Sequence, residues 1–242
     1  MSSQRYALVC RGLGIAATML LVLAPLLYRS HLAPLRLSLL LVPTAALCGL
    51  VAVIAAAWAL RKGLPTAGSR PLLTGLLLGA LPVTFFGIVA VSGRGIPPIH
   101  DITTDPPDPP VFVTAPTLAR DALNSLDYDR ANLVAQQQAY PDLRPIVTAE
   151  PLAAAFEHAR RAAAQLGWDI YAADAANGRI EAVDTTLLFG FKDDVVIRLR
   201  PRDSGTVIDL RSVSRVGRGD LGANAKRIRR FVDTYQTSAG ET

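Results

Sequence analysis

The residues best suited to chemistry lie between positions 193 and 227. Asp193 and Asp194 are adjacent carboxylates, and paired carboxylates do acid–base work or bind metals. Neighbours on a strand project to opposite faces, however, so a single site uses only one of them. Downstream come Arg211, Ser212, Ser214 and Arg215, then Asn224 and Arg227. Arg211 and Arg215 share one strand face, roughly 13 Å apart along it. That separation suits a large anionic group, or two separate pairs with Asp194 and Asp209. Next, Gly217-Arg218-Gly219-Asp220-Leu221-Gly222 fits G-x-G-x-x-G, whose glycines let a helix N-terminus hold a pyrophosphate. Only twenty residues follow Gly222, too few for the helix, parallel strand and acidic ribose ligand of a dinucleotide fold. The motif therefore reads as a glycine-rich strand-to-helix turn with Asp220 as the helix N-cap.

Other chemistries find less support. Ser212 and Ser214 have no neighbouring His base and no G-x-S-x-G elbow. His100-Asp101 with Asp105 forms a loose metal set without a second His, and His158 reads as solvated beside Arg160 and Arg161. Both cysteines, Cys10 and Cys48, lie in or beside apolar runs, so the polar half has no disulfide, Cys-based zinc site or thiol nucleophile. Only nine mostly polar residues precede Cys10, which does not suit a lipoprotein signal. The sequence identifies no catalytic set, no metal ligands and no cofactor. Seven Arg and Lys stand against one acid between Arg211 and Arg230. Of these, Arg211, Arg215 and Arg218 either pair with Asp184, Asp193, Asp194 and Asp209 across a sheet or, with the N–H groups of a helix start, hold a phosphate or carboxylate.

The elements that carry these residues are legible by period. A helix spans 150–166, with Leu152, Phe156, Ala159, Ala163 and Leu166 on one face. Strands 168–173 and 179–185 flank Asn177-Gly178, a hairpin turn pair, and strands 192–200 and 206–214 form a second hairpin. Val195, Ile197 and Leu199 alternate with Val196, Arg198 and Arg200, which predicts a sheet with one apolar and one wetted face. Leu221, Ala225, Ile228, Val232 and Tyr235 stripe a final helix. The expected α+β domain, residues 117–242, is thus an antiparallel four-stranded sheet with two packed helices. Residues 95–116, with three Pro-Pro pairs, read as a linker.

Charge separates this domain from what precedes it. The 242 residues carry a formal net charge of +5, yet residues 1–100 hold eight Arg or Lys and no carboxylate. The remainder holds seventeen basic and twenty acidic residues, so its balance is negative and a nucleic-acid partner is excluded. Three apolar runs, about 12–28, 37–60 and 72–91, approach the roughly 20 residues that cross a bilayer. None contains a charged residue or His, which favours an anchor over a pump or channel. With the N-terminus inside, Arg5, Arg11, Arg61, Lys62 and Arg70 lie in the cytoplasm against Arg29, Arg36 and Arg94 outside. Residues 95–242 then face the periplasm from the inner membrane of an Arg-rich bacterium, with 22 Arg against 3 Lys.

Three stretches resemble a known family, the bacterial and plastid domain of unknown function 1499. They are Phe189-Gly-Phe-Lys-Asp-Asp194, Arg211-Ser-Val-Ser-Arg215-Val-Gly217, and Asp220-Leu-Gly222-Ala-Asn224-Ala-Lys-Arg227-Ile228. Upstream, Pro97-Pro-Ile-His-Asp-Ile-Thr-Thr-Asp105 and Tyr140-Pro-Asp142 resemble the variant that follows membrane spans, without the cysteine found at its start in other members. The resemblance covers about residues 96–235 and implies a membrane-linked, non-cytoplasmic domain with no assigned activity. It singles out Asp193, Asp194, Arg211, Ser212, Ser214, Arg215, Asp220, Asn224 and Arg227.

The sequence thus predicts a membrane-anchored envelope protein, more readily a binding or structural module than an enzyme. Its partners are the lipid bilayer and an anionic small molecule or lipid headgroup. The alternative is a hydrolase or transferase using Asp193 or Asp194 with Arg211 and Arg215.

Overall fold

A computed structural model describes residues 3–63, 70–118 and 121–239. The chain separates into two compact units, one comprising Met1–Arg94 with Leu188–Gly190 and the other comprising Gly95–Leu187 and Phe191–Thr242.

The first unit holds α1 (Ser3–Arg29), α2 (Leu35–Arg61) and α3 (Arg70–Ser92). All three are long and apolar enough to cross a membrane. Apolar side chains gain little by leaving lipid for one another, so helix packing in a membrane depends on close backbone approach through small residues. Ala45, Ala52 and Ala56 are buried accordingly. A Cβ on Gly75 would lie 2.6 Å from the Cys10 carbonyl oxygen, and one on Gly49 would lie 2.3 Å from that of Gly79.

The second unit contains β1 (Asp101–Thr103), α4 (Leu133–Ala139), β2 (Ile146–Thr148), α5 (Leu152–Gln165), β3 (Asp169–Asp174), β4 (Arg179–Thr185), β5 (Lys192–Arg202), β6 (Gly205–Ser214) and α6 (Ala223–Ala239). The antiparallel sheet runs β1-β6-β5-β4-β3, and β2 also pairs with β6. It has six strands where the sequence predicted four. Both additional strands have three residues, too few to show an alternation. One of them, β1, arises inside the proline-rich stretch read as a linker. The predicted hairpins form, and Gly178 adopts φ +59° at the first turn, where a Cβ would meet the Leu199 carbonyl oxygen at 2.3 Å.

One sheet face carries Ile180, Ala182, Val195, Ile197, Leu199, Ile208 and Leu210 against Phe156, Ala159, Ala163, Ile228 and Phe231 of α5 and α6. Trp168 stacks on Phe231 with ring centroids 5.5 Å apart. His158 is buried in this layer rather than solvated, because its Nδ1 lies 2.7 Å from Glu150 Oε1 and its ring meets the edge of Tyr235.

The opposite face is largely covered and meets solvent at one end, where the Arg198 side chain is 20% and that of Arg200 42% exposed. Its charged residues Glu181, Asp194, Asp209 and Arg211 are buried beneath an extended strap drawn from residues 104–118 and 121–128. Phe112 and Ala115 of the strap are buried against Val196 and Val213, with Leu126 packed beside them. Strand alternation of apolar and charged residues identifies two faces without specifying what covers the second.

With a core under both sheet faces, residues 96–242 should fold without the apolar helices. A dispersed amide spectrum in detergent-free buffer is the expected result, and a collapsed one would contradict it.

Candidate functional site

The nine residues singled out by sequence divide between the two faces. Because β5 pairs with β6 in register, Asp193 lies opposite Ser214 on the helix side while Asp194 lies opposite Val213 on the strap side. Asp193 therefore points away from Arg211 and Arg215. Of the expected set of either aspartate with both arginines, only Asp194 and Arg215 are joined; Arg211 shares their face without reaching Asp194.

On the helix side, a polar cluster sits where the sheet meets the start of α6. Asp220 caps that helix. Its carboxylate accepts the Gly222 N–H at 2.8 Å and the Asn224 N–H at 2.7 Å. Leu221 adopts φ +53° and Gly222 φ +79°, the left-handed bends that swing the chain from strand into helix. The cap places Asn224 inward, where its amide donates to Ser214 Oγ and the His100 carbonyl while its oxygen accepts from Ser212 Oγ at 2.7 Å. One turn on, Arg227 donates to Asp184 at 2.6 Å, to Ser212 Oγ at 3.0 Å and to Asp193. Burial pushes the Asp193 carboxyl up from its ordinary range, with Arg227 opposing the shift.

On the strap side, Arg215 grips Asp194 through two bonds of 3.0 and 2.8 Å. Arg211 takes Asp101 of β1 at 2.9 and 2.7 Å, rather than the Asp209 that strand spacing suggested. Its remaining donors reach the carbonyls of Pro110 at 3.2 Å and Leu126 at 2.7 Å, and its guanidinium lies 5.4 Å and 5.3 Å from the Phe112 and Tyr128 ring centroids. Asp209 instead accepts from Arg198 and Arg200, both of which also bind Asp105. Glu181, fully buried, accepts the backbone N–H groups of Val113, Thr114 and Ala115 at 2.8–3.1 Å.

Asp101 is not legible in the sequence as a partner of Arg211, because the three residues of β1 are too few to show an alternation. Glu181 did leave a signal, since it alternates with the apolar Ile180 and Ala182 of β4, but nothing local identified its partners. Among the described residues no group of three or more His, Cys, Asp or Glu is placed to hold a metal ion. The arrangement neutralises charge and fixes backbone.

The family model described as protein of unknown function DUF1499 matches residues 101–234, more than half of the chain. The chain belongs to this family. A search among curated proteins finds no match. The DUF1499 match begins at β1 and ends within α6, so it encloses both polar clusters and the strap. The apolar helices precede it.

Outside the paired clusters, the DUF1499 domain has an open groove of about 660 Å³ between the end of β4 and α6, lined in part by Thr185, Lys226, Arg229 and Arg230. None of these four was among the singled-out positions. Lys226 and Arg230 stand one helical turn apart, off the apolar stripe, and that spacing is the sequence signal for them.

Replacing Asp220 with Ala should cost on the order of 1 kcal/mol, the usual value of a helix N-cap. Replacing Arg227 with Ala should cost more, about 3 kcal/mol or above, because two aspartates lose a buried partner. Denaturant unfolding of residues 96–242 measures both, and equal effects would contradict the assignment.

Proposed function

We propose that this DUF1499 protein is a membrane-anchored, inner-membrane envelope protein. Its sheet domain lies in the periplasm and works as a binding or structural module for an anionic partner. The observation that carries the non-enzymatic reading is the mutual pairing of the candidate charges. Asp193, Asp194, Arg211, Arg215 and Arg227 each hold a hydrogen-bonded ionic partner inside the domain. A catalytic carboxylate needs access to substrate, and an arginine closed by two carboxylate bonds has little left for a ligand. The anionic-partner reading draws on what remains accessible, the cationic groove along α6.

The periplasmic placement rests on the odd number of spans and on the excess of Arg and Lys in the segments assigned to the cytoplasm. A C-terminal alkaline-phosphatase fusion in a bacterial host should be active and the matching fluorescent-protein fusion dark; the reverse pattern would contradict this topology. Native mass spectrometry of the detergent-purified full chain should show a retained anionic species. Protein free of adducts, or carrying only neutral ones, would contradict the binding reading.

A further inference from the structure

We propose that the groove beside α6 is a docking site for the headgroup of an anionic phospholipid in the bilayer that holds α1–α3. This proposal rests on the anionic-partner reading above. Asp184 and Leu187 form part of one wall, and Lys226, Arg227 and Arg230 of α6 form part of the other. The cations differ in what they have left to give. Arg227 is buried with Asp184 and Asp193, so its charge is spent within the wall. Arg229 holds Asp142 through two bonds of 2.6 and 2.8 Å and lies 5.6 Å from the Tyr140 ring centroid. Lys226 is exposed, and the Arg230 side chain is 62% exposed, with its nearest carboxylate, Asp184, at 3.9 Å. Asp184 already accepts a 2.6 Å bond from Arg227, which leaves the groove mouth net positive.

Beside this charge stands apolar surface. Leu187, on the groove wall, is 95% exposed. An exposed leucine on a loop beside two cations matches the bilayer interface, where phosphates lie just above acyl chains. Charge alone would serve any soluble anion equally well; the adjoining leucine is what selects a lipid.

The chain also tethers the domain closely to the span that precedes it. Nine residue steps separate Ser92, the end of α3, from Asp101, the start of β1. They span at most about 32 Å at full extension. Each basic side chain near an anionic surface contributes about fivefold to affinity at moderate ionic strength.

The test uses the full chain in nanodiscs of phosphatidylcholine, with and without phosphatidylglycerol, read by amide hydrogen exchange. Phosphatidylglycerol should slow exchange at residues 184–187 and 223–230, and added salt should weaken that protection. Lys226→Ala/Arg230→Ala should lose about 25-fold in apparent affinity, and with it the protection at a lipid fraction that saturates the wild type. Both side chains are exposed, so the melting temperature should not change. Equal exchange in the two disc types would overturn the proposal, as would full protection in the double variant. Protection by inorganic phosphate in phosphatidylcholine discs would also overturn it, by showing a site for a free anion. Phosphatidylglycerol-dependent protection confined to another segment would remove this site while leaving the anionic-partner reading intact.

Discussion

A proline-rich strap laid across a sheet brings backbone with few ladder partners, and buried backbone groups must be satisfied somewhere. The charged strand face beneath it has the complementary need, since a carboxylate or guanidinium taken out of water is costly until it is bonded. In this domain each meets the other's requirement. Glu181 accepts three consecutive N–H groups of the strap, and Arg211 donates to two of its carbonyls. The other charges close among themselves, Arg215 on Asp194 and Arg198 with Arg200 on Asp209. The strap could not lie there over an apolar face without leaving its amides unpaired, and the charges could not be buried without it.

The helix-side cluster follows the same rule on a smaller scale. Asp220 turns the chain into α6, the turn places Asn224 over Ser212 and Ser214, and Arg227 ties the helix to Asp184 and Asp193. Strand ends, where a ladder stops and polar groups are left over, are thereby sealed by one helix. Such pairs need not add stability over an apolar packing of equal volume; what they supply here is a fixed position for α6 and for the strap. Burial pushes the carboxyls of Asp101, Asp193 and Asp209 upward, which shows how strongly the surroundings oppose charge that arginines must hold in place.

What is local in this fold is legible in the sequence. The stripes of α5 and α6, the alternation along β5 and the Asn177-Gly178 turn all declare themselves within about ten residues, the range over which periodicity works. Asp220 was legible as a cap for the same reason. Burial of Glu181 and the choice of Asp101 as partner of Arg211 were not legible, because they depend on residues 68 and 110 positions away along the chain. An arginine alternating with valine reads equally well as wetted or as buried under a distant strap. Lys226 and Arg230 were hidden differently: they lie within a run of basic residues, and only the fold shows which of these are already paired.

The strap-side charges hold one another and the strap in place, and the Asp101–Arg211 pair is where this is most directly measured. A double-mutant cycle on residues 96–242, with Asp101→Asn, Arg211→Met and both together, gives the coupling from chemical unfolding. Each single change should cost about 3 kcal/mol or more. The double variant should fall short of their sum by about 2 kcal/mol. Additive effects, or an Arg211→Met variant as stable as the parent, would mean that this arginine is not held for the fold.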